Sequence, residues 1–310
     1  MSHTEDAKVT VQQVDTKGNS LSEPHDSHHE SHAAVYTQDP PQWRIEFERQ
    51  REWLRPYFAE CVATMLYVIF GCGAIAMFLL SEGQMGSLLN ISLAFGFGIA
   101  FAVYLSAPIS GGHTSPAITI CFAIFKGFPW RRVPGYFVAQ VIGAFLGAGF
   151  VWLNFYSTIS NIDGGIHTIT GLTKTGTSAI FVALPASYVS VGYQIWVEFF
   201  SDALFTFLVW MFIDTKSPAF IPSIAPILIG LIIAVVAMST SLEGIVLNPA
   251  RDLGPRIFAA IVYGPGVFTG GNYFFWIPLV VPFFGCITGA GLYDLMFQVY
   301  PRKGDPLPAH

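Results

Sequence analysis

The sequence predicts an all-α membrane protein with six transmembrane helices and two re-entrant half-helices arranged as an inverted repeat. Three features predict it: a scarcity of charge, six apolar runs long enough to cross a bilayer, and two shorter apolar runs that occupy the same place in each half.

Charged residues make up 11% of the 310, and hydrophobic residues 53%, whereas a soluble domain carries about 25% charged residues. So few charges cannot cover a water-facing surface, and the chain falls in the membrane class. The net charge of -5 is concentrated toward the N-terminal tail, and no basic patch interleaved with aromatics speaks for nucleic acid. Cys61, Cys72, Cys121 and Cys286 all lie inside apolar runs and read as buried thiols rather than a disulfide framework. The N-terminus lacks the pattern of a cleaved secretory signal, so the first membrane helix is expected to direct insertion.

Residues 1–50 are polar and too poor in apolar side chains to offset the entropy of ordering, which predicts a disordered tail. The cluster His25, His28, His29 and His32 within it reads as a solvated tract; metal binding there is the alternative. Spans need about 20 apolar residues each, and runs of that length fall at 56–80, 88–107, 134–154, 191–213, 222–241 and 275–297. Together they define a membrane domain, 51–297, followed by a short tail, 298–310.

The runs 116–125 and 249–262 are too short to span, and each starts at a proline. Proline suits the first helical turn, where its missing N–H would be unpaired anyway. Orientation follows from the cations flanking the spans: Arg44, Arg49, Arg51 and Arg55, then Lys126, Arg131 and Arg132, then Lys216, then Arg302 and Lys303. The opposite loops hold only Lys174, so both termini should be cytoplasmic. Arg251 and Arg256 break this pattern.

The halves, 56–154 and 191–297, repeat. Each has an acidic residue in its first helix (Glu60, Glu198), a proline-started half-helix (Pro116, Pro249) and a Gly-x-x-x-Gly pair in its last helix (Gly143 with Gly147, Gly285 with Gly289). Three spans per half is an odd number, so the second copy must be upside down. Gly96 with Ala100 and the paired glycines permit close helix contact.

Ser115-Pro116-Ala117 and Asn248-Pro249-Ala250 sit at equivalent places, each with a capping side chain ahead of the proline. A lone triplet of this kind is a loop turn; the pairing makes it specific. Inverted halves bring the two half-helices together N-terminus to N-terminus, each end worth about +0.5 charge. That centre repels cations and orients a passing oxygen through the Asn248 amide and the Ser115 hydroxyl. Arg251 follows directly at membrane depth, where an ionisable residue is by default functional.

Through Ser-Gly-Gly-His-Thr-Ser-Pro-Ala at 110–117 and Leu-Asn-Pro-Ala-Arg-Asp-Leu-Gly-Pro-Arg at 247–256, the chain resembles the aquaporin and glycerol-facilitator family over residues 56–297. The resemblance implies an hourglass channel domain, one pore per subunit and a homotetramer. It implies a passive channel, most often of the plasma membrane, for water and glycerol that excludes protons and ions. Ammonia, urea, carbon dioxide and hydrogen peroxide are further neutral solutes small enough to pass. Ser115 departs from the family's usual asparagine; it should still cap the half-helix but offers one donor instead of two. With the acidic tail, it is more like microbial members, fungi among them, than animal ones.

The resemblance further places the selectivity filter at Phe95, Ala237, Ile245 and Arg251. No histidine occurs in 222–241, and the filter is wide and apolar as a polyol backbone requires. Asp252 is the residue that glycerol-conducting members carry after the arginine. Glu60 and Glu198 are expected to hold the pore loops, leaving the carbonyls of Gly111, Gly112, His113, Gly244, Ile245 and Val246 free to line the pore. A proton relay is the rival role for the two acids. No enzyme constellation, cofactor motif or metal-ligand cluster is present in the membrane portion. A coupled secondary transporter, a water-only channel and a non-conducting scaffold remain as alternatives.

Overall fold

The computed structural model describes residues 41–169, 176–215, 217, 220–240 and 245–298. The histidine cluster, Lys174, Lys216, Gly244, Arg302 and Lys303 lie outside them. The described residues contain helices and no strands.

In the first unit, which runs to Trp53, Gln42–Arg51 form helix α1. The expectation of a disordered tail through residue 50 fails at this end. Pro41 precedes the helix, and Glu48 pairs with Arg44 four residues earlier and Arg51 three residues later, at helical spacings that favour a turn.

The second unit holds two matching sets of helices. The first set is α2 (Arg55–Leu80), α3 (Leu88–Ser110), the half-helix α4 (Pro116–Phe125) and α5 (Val133–Asp163). The second is α6 (Val191–Ile213), α7 (Ala225–Ser239), the half-helix α8 (Pro249–Tyr263) and, after the short turn α9 (Gly270–Tyr273), α10 (Trp276–Phe297). Among the described residues, five helices are long and apolar enough to cross a membrane. The expected span at 222–241 is a shorter helix, α7, of 15 residues. Its start is set back because Pro222–Ile224 form a turn, and at about 1.5 Å per residue it rises only about 22 Å.

Helix α2 packs on α3 and α5, and α6 packs on α7 and α10 in the same way. The glycine pairs explain the closeness. A side chain at Gly143 or Gly147 would strike the carbonyls of Cys61 and Met65 on α2, and one at Gly285 or Gly289 would strike those of Phe199 and Ala203 on α6. Helices α3 and α7 cross where Gly96 faces Gly230, each backbone occupying the room the other's side chain would take. Large apolar residues such as Val138, Leu153, Ile261, Phe284 and Leu295 point outward, as a lipid-facing surface requires. Each half-helix also packs on the last helix of the opposite repeat, α4 on α10 and α8 on α5, so neither repeat is complete alone.

Candidate functional site: where the two half-helices meet

Both half-helices are entered through a strained residue. Thr114 and Leu247, the residues before Ser115 and Asn248, have φ of 51° and 61°, a left-handed conformation that non-glycine residues rarely adopt. Such a backbone persists only when its surroundings hold it, and one buried carboxylate does so in each repeat.

Glu60 accepts from the N–H of His113 at 3.0 Å and of Thr114 at 2.7 Å. Glu198 accepts from Val246 N–H at 3.0 Å and from Leu247 N–H at 2.7 Å. With their N–H groups turned toward the acids, these loops present other backbone atoms to the space between the halves. Gly111 and Gly112, at φ of 95° and 69°, make the bend that brings the first loop back.

The surroundings of the two acids differ. Glu60 also accepts from the Ser110 hydroxyl at 2.6 Å and from Gln140 Nε2 at 2.8 Å, and Tyr136 O–H donates to the Ser110 carbonyl at 2.9 Å. Sequence reasoning missed these partners. Gln140 is a polar residue one turn before the first glycine of a close-packed pair, and that placement was the available signal.

At the junction, Asn248 Oδ1 accepts from the N–H of Ala250 at 3.0 Å and of Arg251 at 3.3 Å, capping α8. Its Nδ2 donates to the Thr114 carbonyl at 2.8 Å, so the two half-helix starts are joined directly. Ser115 behaves otherwise. It stands at the N-cap position of α4 but makes no side-chain cap bond, and its buried hydroxyl has no partner among the described residues. The capping expected of it is therefore absent; proline at the first turn and the Glu60 network carry the start of α4 instead.

A cavity of about 240 Å³ opens against this junction. Gly111, Gly112, His113, Thr114, Ser115 and Asn248 form its polar edge, and residues such as Val103, Phe205, Val209, Ile229 and Ile233 form an apolar wall. A cavity of this kind, one edge polar and the rest apolar, suits a small neutral molecule with hydroxyls on one side.

Arg251, buried at 7% exposure, lies with its guanidinium 4.7 Å from the Phe95 ring centroid. It has no ion pair among the described residues. Phe95 and Val236 share one apolar cluster against which Ile245 packs. Ala237 is half-buried and outside that cluster. Its neighbour Val236 lies inside that cluster, because one residue of offset turns a helical side chain by about 100°.

Asp252 and Arg256 form a pair of their own, both fully buried, with Nε to Oδ2 at 2.7 Å and Nη2 to Oδ1 at 2.9 Å. Arg256 also donates to the carbonyls of Val267 at 2.6 Å and Ala183 at 3.0 Å. This explains an arginine at membrane depth: it pins α8 to two loops while its charge is matched. The acid four residues ahead of it on one helix was a legible signal. Among the described residues, no group of three His, Cys, Asp or Glu is placed to hold a metal.

Comparison with known proteins agrees with this geometry. The model of the major intrinsic protein family matches residues 47–293. The chain is 41% identical over 243 residues to Aquaglyceroporin-2 of Rhizophagus irregularis, covering 76% of this chain and 75% of that protein. It is 34% identical over 249 residues to human Aquaporin-9, covering 80% and 84%. The X-ray structure of the aquaglyceroporin from Plasmodium falciparum superposes with a TM-score of 0.70 at 26% identity, over 79% of this chain and 96% of that one. Two half-helices bonded start to start, each loop held by a buried glutamate, and a family match over residues 47–293 lead to one conclusion: this chain belongs to the major intrinsic protein family.

Proposed function

We propose that the protein is a passive membrane channel for water and glycerol, excluding protons and ions. The observation that carries this reading is the cavity of about 240 Å³ with a polar edge and an apolar wall, ending at the Asn248–Thr114 bond. The names of its relatives in a fungus and in man point the same way. A polyol lays its carbon chain on the apolar wall and its hydroxyls on the carbonyl edge. The facing half-helix ends, about half a positive charge each, repel cations at the centre. Arg251 repeats that barrier beside Phe95 and offers donors to solute oxygens.

The same reading assigns Phe95, Ile245 and Arg251 to the constriction, with Val236 in place of Ala237. It gives Glu60 and Glu198 the work of holding the loops rather than relaying protons. The flanking cations favour cytoplasmic termini, and the family's habit favours a homotetramer in the plasma membrane.

Stopped-flow light scattering on vesicles containing the purified protein tests the reading. Glycerol entry that is linear in its gradient and needs no ion gradient is the expected result, with proton leak rising in Arg251→Ala. Water flux without glycerol flux overturns the polyol assignment, and saturable, ion-dependent entry overturns the passive one.

A further inference from the structure

Glu60 and Glu198 mark equivalent points in the two repeats, so the residues two helical turns beyond them, Tyr67 and Phe205, are also equivalent. Both line the cavity, one from each inverted half. Phe205 is wholly apolar. Tyr67 carries a hydroxyl that has no hydrogen-bond partner among the described residues, although the side chain is 2% exposed and sits in the protein's largest apolar cluster.

A hydroxyl on an otherwise buried side chain that gains no protein partner is costly unless something beside it takes the partner's place. Facing a cavity, it is available to whatever passes. The ring of Tyr67 meets the Phe95 ring edge-on, centroids 5.3 Å apart at 64°. Phe95 in turn lies beneath the Arg251 guanidinium. Phe95 also packs against Gly71, one turn beyond Tyr67, where any side chain would overlap the Phe95 ring. Tyr67, Phe95 and Arg251 are therefore one packed row that connects the central cavity to the constriction.

A polyol crossing this row needs donors for its oxygens, because most of the side chains lining the cavity around it are apolar. Asn248 and Ser115 supply donors at the centre, and Arg251 supplies them at the far end. We propose that Tyr67 is a specificity-determining residue of the pore: its hydroxyl hydrogen-bonds a solute oxygen between those two points, and its ring limits the solute's width. The proposal rests on the glycerol-channel reading above.

The test compares the unmodified protein, Tyr67→Phe and Tyr67→Leu in vesicles, measuring water, glycerol and the four-carbon polyol erythritol per folded channel. In Tyr67→Phe, glycerol permeability should fall about fivefold, the worth of one neutral hydrogen bond, and by a clearly larger factor than water permeability. In Tyr67→Leu, erythritol entry should rise severalfold. Parallel loss of water and glycerol in Tyr67→Phe, or no change in either, leaves the tyrosine a packing residue and overturns the proposal. Should Tyr67→Phe not assemble, the erythritol readout of Tyr67→Leu decides alone, and no gain there overturns it. Absence of glycerol flux in the unmodified protein is a different failure, that of the channel reading itself, and is seen before any variant is compared.

Discussion

Asn248 reaches from the N-cap of α8 to the carbonyl of Thr114, 2.8 Å away, and so bonds one inverted repeat to the other where the two half-helices start. The same side chain caps its own helix through Oδ1. Asn248→Asp separates the two functions, since aspartate is as good a cap but cannot donate. A carboxylate there faces the Thr114 carbonyl and cancels the positive end of both half-helices, together about one unit of charge. The expected outcome is a folded channel with reduced glycerol flux and a cation or proton leak, read with a pH-sensitive dye inside vesicles. A variant that stays proton-tight would show that the half-helix ends do not form the barrier.

Much of this junction was legible in the sequence, and the reasons are local. Proline fixes a first helical turn, so Pro116 and Pro249 announced α4 and α8 to the residue. A buried acid in an apolar span must find donors, which marked Glu60 and Glu198, although the α6 span holds a second acid, Asp202, four residues after Glu198. What stayed hidden depended on distances through space. Nothing in the sequence set Val236 rather than Ala237 in the cluster with Phe95, because the loop after α7 leaves the helical phase open. The cap failure of Ser115 was equally hidden, since residue type gives propensity and not the rotamer adopted.

That failure makes its own prediction. Ser115→Asn places at the start of α4 the residue that caps α8 through the N–H groups of its first turn. An amide oxygen within reach of the equivalent groups on α4 should add about 1 kcal/mol, the usual value of a helix cap. The measurement is the midpoint of thermal unfolding in detergent, which should rise. If it falls instead, the pore centre has no room for a second amide, and serine is there for space.

The two supporting glutamates should not respond alike to neutralisation. Among the described residues, Glu60 collects four donors, from Ser110, His113, Thr114 and Gln140, whereas Glu198 collects only the N–H groups of Val246 and Leu247. In Glu60→Gln the new amide N–H₂ must face at least one donor, leaving buried groups unpaired at about 1–3 kcal/mol each. In Glu198→Gln the remaining oxygen can serve both N–H groups, as Oε1 of the acid nearly does already. Folded yield and unfolding midpoint should therefore fall further in Glu60→Gln. The reverse order would mean that Glu198 carries a load beyond its loop.

Asp252 is the residue on which likeness to relatives and local geometry assign different work. Likeness makes it a marker of glycerol conduction. Geometry makes it the counter-ion of Arg256, with both groups fully buried and Arg256 bound to two loop carbonyls. Removing one partner of a buried pair leaves an uncompensated charge, at about 3–5 kcal/mol. Asp252→Asn should then lower the amount of folded protein sharply, with the glycerol-to-water ratio of the surviving channels unchanged. Asp252→Leu with Arg256→Met, which takes away both charges together, should recover part of the lost yield, because it removes the unpaired charge and leaves only the neutral carbonyls of Val267 and Ala183 without a donor. A well-folded Asp252→Asn with a shifted ratio would return the residue to the solute path. Between these outcomes, the bidentate pair at 2.7 and 2.9 Å argues for the first: both carboxylate oxygens are already committed to Arg256, and a solute would have to displace a charged donor to reach them.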